Sequence, residues 1–291
     1  MIMKKTVFQM MMAVLAAVCL TSCSKVPEDD VLVTDDAPAQ QETYVTLHFS
    51  PYIQEAMTRG AGDKSIQEIC SRLDIWLEDD DQVIEVHQSS SDEGFGSVSV
   101  KLNITRTYTL YAVAHNSSAP VTFEDGLMSF DDDIVTDAFY CRQSITPSAV
   151  INCTMTRFVG QFALWITDAI PDDAARITFS SASTNTQFNL TTGAGTSKDE
   201  RIREFTSWQS SSSGTLFNFY IIPDNLTAGC TVDVVATVYD GDDNIIETRT
   251  FEDVPIQSAY RSIYKGTFFV TSDMSYSFVA CSTWTDSTTD F

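Results

Sequence analysis

The chain has 291 residues, 43% of them hydrophobic, which is enough apolar material for packed cores and more than one average domain needs. Its 40 acids against 17 Lys plus Arg give a net charge of −23, which repels phosphate backbones and anionic lipid headgroups and excludes an electrostatic grip on nucleic acid. Recurrent Thr, Ser, Val, Ile, Phe and Tyr, without long Ala/Leu/Glu/Lys stretches, exclude a helical bundle and point to an acidic, β-rich protein.

The N-terminus follows a secretory plan. Lys4 and Lys5 precede an apolar run from Val7 to Leu20, shorter than the about 20 residues a helix needs to span a bilayer. The run ends in Leu20-Thr21-Ser22-Cys23, similar to the lipobox of bacterial lipoproteins. Residues 1–22 are therefore expected to be a signal peptide, with Cys23 acylated, palmitate included, as the mature N-terminus. Residues 23–41 carry Glu28, Asp29, Asp30, Asp35 and Asp36, two prolines and almost no large apolar side chains, which reads as an acidic flexible stalk.

From Glu42 onward short alternating segments recur between turn signals. Thr43 to Phe49 alternates. Leu73 to Leu77 and Val83 to His87 flank a charged turn and predict a hairpin, and Gly96 to Ile104 alternates again. Thr107 to His115 is more continuously apolar, as expected of a central strand. Ile151 to Thr167 reads as one long β-like stretch, and Arg176 to Leu190 as two strands around Ser183 to Asn185. Leu216 to Ile222, Thr231 to Tyr239, Ile245 to Phe251, Tyr260 to Val270 and Tyr276 to Trp284 complete a second set, with Asp240 to Asn244 as a tight hairpin connection. One stretch reads as helical: Ser197-Lys198-Asp199-Glu200 has capping-box spacing, with Ile202 and Phe205 following on one face. The expected organisation is an N-terminal sandwich over 42–150 and a C-terminal sandwich over 151–291.

The chemistry-bearing residues form no catalytic motif. His48, His87 and His115 lie far apart without zinc-ligand spacing and read as strand-end or surface imidazoles. No Gly-x-Ser-x-Gly elbow occurs, and Gly193 to Lys198 lacks the order of a phosphate loop. Asp240, Asp242 and Asn244 begin with EF-hand spacing, but Ile245 and Phe251 stand where Gly and Glu are required. The acidic turns thus read as solvated, with a loose calcium site as the alternative; no cofactor and no metal is expected. Beyond the leader, Cys70, Cys141, Cys153, Cys230 and Cys281 are an odd set. Cys141 and Cys153 flank the Pro147 turn and are placed to pair across it; the competing reading makes all five small buried residues.

Several segments, in order, resemble one family: the lipobox and acidic stalk, a strand ending near Thr58-Arg59-Gly60, Leu73-Asp74-Ile75-Trp76-Leu77, Tyr108 to Ala114, Asp137 to Tyr140, Thr156 to Phe162, and Tyr264 to Phe269. The order is similar to the fimbrillin superfamily of type V pilus proteins, particularly FimB-type anchor and accessory lipoproteins. The resemblance implies two tandem transthyretin-like antiparallel β-sandwich domains and no enzyme activity. It further implies a place in the fimbrium, lipid-anchored at the surface of the outer membrane, with other fimbrial subunits joined by β-strand addition. In that family shaft subunits are cut after an Arg behind their first strand, and Arg59 stands in such a place. A polymerising pilin matured after Arg59 is therefore one rival. Another is a surface lipoprotein binding a host or bacterial glycan or protein, with Trp208 in its Ser-rich loop as the contact aromatic; the competing role for Trp208 is packing.

Overall fold

In a computed structural model the described residues are 41–51, 65–131, 134–270 and 275–280. The protein is all-β. The strands of its first half are β1 (Glu42–Pro51), β2 (Arg72–Glu78), β3 (Val83–Ser89), β4 (Ser97–Asn103), β5 (Tyr108–His115), β6 (Thr122–Glu124), β7 (Leu127–Ser129), β8 (Ala138–Ile145) and β9 (Val150–Arg157). A single helical turn, α1 (Ile66–Ile69), precedes β2. The second half holds β10 (Gly160–Ile166), β11 (Ala174–Asn189), β12 (Ala194–Phe205), β13 (Thr215–Ile221), β14 (Cys230–Asp240), β15 (Ile245–Ile256), β16 (Tyr260–Gly266) and β17 (Ser275–Ala280).

Seven strands form the first sheet in the order β3-β2-β5-β8-β9-β1-β4. Strict alternation puts Val45, Leu47 and Phe49 of β1 and Val98, Val100 and Leu102 of β4 on one face. These side chains share a single core with Leu73, Ile75 and Leu77 of β2, Leu110, Ala112 and Ala114 of β5, and Phe139, Cys141 and Ile145 of β8. One core served by both ends of one sheet means the sheet folds back on itself, and the bend is at β8 and β9. Those two strands pair only at Phe139–Arg157 and Tyr140–Thr156. β9 then runs parallel to β1, from Thr46–Val150 to Pro51–Met155.

The second core lies between β13-β10-β16-β17 and the sheet containing β15-β14-β11. It is built on Phe162, Leu164, Phe179, Phe217, Phe219, Val234, Val238 and Phe251. A third cluster ties the halves together. Trp76, Tyr111 and Val113 leave the outer face of β2 and β5 to meet Val121, Met128 and Phe130 around β6 and β7, and Phe158, Phe188 and Ile222 from the second half. β5 is therefore buried on both faces, as its continuous apolar run requires.

Three expectations change. Ile151 to Thr167 is not one strand: the chain crosses between cores at Phe158-Val159, so residues 150–157 complete the first sheet. Arg176 to Leu190 is one strand, not two, with a bulge between Ser181 and Thr184 in its ladder with β12. The expected helix after Ser197 is β12, paired with β11 from Asn189–Ala194 to Ile177–Phe205. Arg201 is 6% exposed and Ile202 60%, the reverse of an amphipathic helix reading, because two-residue alternation decides which side chain meets β11. The helical turn that does form, α1, begins at Ser65, whose amide donates to Glu68 Oε2 at 2.7 Å.

Candidate functional site

Among the sequence-picked residues, Cys23, Arg59 and Cys281 lie outside the described residues. Trp208 is half-buried against the second core, its ring 6.2 Å from Phe217. Cys70, Cys141 and Cys153 are buried free thiols and Cys230 is a half-buried one. Burial, then the charge of Asp137, pushes the Cys70 thiol up. Cys141 and Cys153 are neighbours: the hydrogen bond from the Cys153 thiol holds Cys141 down and drives Cys153 up.

His87 and His115, far apart in sequence, meet at one carboxylate. Asp74 is 0% exposed in the middle of β2 and accepts from His115 Nε2 at 2.8 Å and the Val121 amide at 2.9 Å, while His87 Nδ1 lies 2.8 Å from its other oxygen. Burial raises the Asp74 pKa, but these contacts outweigh it and hold the carboxyl below its ordinary 3.8. The Ser117 amide donates to His115 Nδ1 at 3.1 Å, which places the imidazole proton on Nε2. That amide occupies the lone pair a nucleophile would need, so the fully buried His115 is a clamp rather than a base. The acidic turns are self-satisfied. Asp240 Oδ1 accepts the amides of Asp242 and Asn244 at 2.9 and 2.8 Å, and Asp79 Oδ1 those of Asp81 and Gln82 at 2.9 and 3.0 Å. Among the described residues no cluster of three metal-type ligands occurs.

An open cleft lies at the seam where β8 and β9 part. Beyond Tyr140–Thr156 the strands no longer pair, leaving a cleft of about 340 Å³, at the lower end of the ~300–1,000 Å³ of small-ligand sites. Arg142 of β8 and Asn152, Thr154 and Thr156 of β9 line its walls, and Gln143 lies beside the floor thiol Cys141, donating to Cys153 Sγ at 3.5 Å. The third wall is the turn after β11. Asn189 Oδ1 accepts the Thr191 and Thr192 amides at 2.9 and 2.8 Å, and the Gly193 amide donates to Asn189 O at 2.8 Å. Gly193 has φ +68°, and a Cβ there would stand 3.2 Å from Tyr140 Oη and from Leu226, so glycine lets the turn seat against β8. Sequence reasoning missed this cleft because its walls are the outward halves of two ordinary alternations; the signal present was a run of outward Asn and Thr without a carboxylate.

No curated protein matches the chain. Solved structures with the same fold include a candidate cell adhesion protein from Bacteroides ovatus ATCC 8483, 13% identical over 81% of this chain and 96% of that one, with a TM-score of 0.51. Candidate polysaccharide-binding proteins (DUF1812) from Bacteroides thetaiotaomicron VPI-5482 align at 9% identity over 77% and 92%, with a TM-score of 0.50. The fimbrial anchor protein Mfa2 from Porphyromonas gingivalis aligns at 11% identity over 76% and 90%, with a TM-score of 0.40. Residues 37–279 match one family throughout, so the chain belongs to the family of unknown function DUF6562.

Proposed function

We propose that the protein is a non-enzymatic surface lipoprotein of fimbriae, an anchor or accessory subunit held to the outer membrane by acyl groups on Cys23, with its two sandwiches projecting outward. The observation that carries this reading is the place of β1. It is an interior strand, antiparallel to β4 and parallel to β9, and Val45 and Leu47 are completely buried. Taking it away would part β4 from β9 and withdraw Val45, Leu47 and Phe49 from the first core, each worth about 1.5–3 kcal/mol of burial. A subunit that keeps β1 is closed on this side and suits an end position, whereas a shaft subunit needs that groove open. The fold shared with the Bacteroides ovatus protein is in keeping with a role at the cell surface.

The rival remains a pilin that discards β1 by cleavage after Arg59. Mass spectrometry of the N-terminal peptide from intact outer membrane separates the two. An acylated peptide starting at Cys23 is expected; a free N-terminus at Gly60 overturns the anchor reading. For Trp208, packing on Phe217 favours a structural role over a ligand contact.

A further inference from the structure

We propose that the β8–β9 cleft binds a carboxylate-bearing saccharide, with Arg142 taking the carboxylate and the Asn and Thr side chains of β9 taking ring hydroxyls. The first argument is charge. The whole molecule carries −23, yet the cleft is lined by one guanidinium and no carboxylate. Arg142 makes no ion pair with any described residue; its guanidinium is exposed and sits 5.9 Å from the Tyr111 ring. A planar fork of this kind matches a carboxylate in two parallel hydrogen bonds.

The second argument concerns the neutral groups. Asn152, Thr154 and Thr156 repeat at every second residue along β9, which puts a donor–acceptor side chain about every 6.6 Å on the same face. Hydroxyl and amide groups that both donate and accept match a polyhydroxylated ring, which does the same. A bare small anion has no use for such a row. An apolar ligand would leave the row unsatisfied. An anion that carries hydroxyls satisfies both halves of the site. The third argument is rigidity: the Asn189 turn and Gly193 fix the facing wall before a ligand arrives, which lowers the ordering cost of binding.

Saccharide binding here does not rest on subunit assembly, so the two readings can fail separately. The test is calorimetric titration of the full-length protein in detergent with oligomers of galacturonate and glucuronate and with sialyllactose, each beside its carboxyl methyl ester. Saturable binding of at least one acid is expected, weakened tenfold or more by esterification and by Arg142→Gln. Arg142 is exposed, so the variant should keep the wild-type circular dichroism and fimbrial incorporation. Three results overturn the proposal: no saturable binding at millimolar saccharide, equal binding of acid and ester, or unchanged affinity in Arg142→Gln.

Discussion

The residue that most constrains the first half is Asp74. A carboxylate inside a strand buried on both faces is tolerable only if its oxygens are matched, and here two imidazoles and an amide match them. Because its pKa is lower folded than unfolded, its contribution is present in full above the ordinary value of 3.8 and is lost as pH falls through the lower folded value. Asp74→Asn removes the charge and turns one acceptor into a donor facing donors, a loss of roughly 3–5 kcal/mol at neutral pH. In urea melts between pH 7 and pH 3 the gap to wild type should narrow below about pH 3.8; a constant gap would show that the carboxylate charge contributes nothing. The sequence did contain the cue, a charged residue within Leu73-Asp74-Ile75-Trp76-Leu77. Its partners were hidden by distance along the chain, since His115 lies 41 residues away.

Elements with a buried face were legible, and elements without one were not. The β2–β3 hairpin, the central position of β5 and the turn at Asp240 to Asn244 all follow from apolar periodicity and turn chemistry. β12 shows why the rest was not. It is a charged strand paired, among the described residues, only with β11, so Lys198, Asp199, Glu200, Arg203 and Glu204 give no two-residue apolar signal, and Ile202 and Phe205 happen to stand at helical spacing. Those same charges blunt it as an edge, as Glu85 and His87 do on β3, while β15 is broken by bulges and holds Pro255. The four-stranded sheet differs: its edge strand β13 carries no charge. β13 runs in unbroken register with β10 and, among the described residues, pairs with no second strand, so under the proposed subunit role it is the edge for strand addition. Leu216→Glu places a carboxylate on its outward side without touching Phe217, Phe219 or Ile221 in the core. Co-purification of fimbrial subunits should fall severalfold with folding unchanged; full recovery of the partners would move the joint to another edge.

At the scale of the whole molecule, the two cores are joined by more than a linker. Phe158 stacks on Phe188 with centroids 4.3 Å apart, and Tyr140 meets Phe188 edge-on at 5.0 Å. Beside them Arg157, 3% exposed, forms a two-pronged pair with Asp137 at 2.7 and 3.0 Å and lies over the Phe139 ring. The Ser258 hydroxyl, from the far half, donates to the Arg157 carbonyl. A shared apolar cluster of this kind makes the unfolding of one half expose surface on the other, so the wild type should melt in one transition seen alike by near- and far-ultraviolet circular dichroism. Phe188→Ala empties the centre of the junction while leaving Phe162, Phe179 and Phe251 in the second core untouched. The loss of about 3–5 kcal/mol then falls on the coupling, and the single transition should separate into two, one for each core. Were the variant to melt earlier but still in one step, the junction would be an integral part of a single folding unit, and the division into two sandwiches would describe geometry rather than stability.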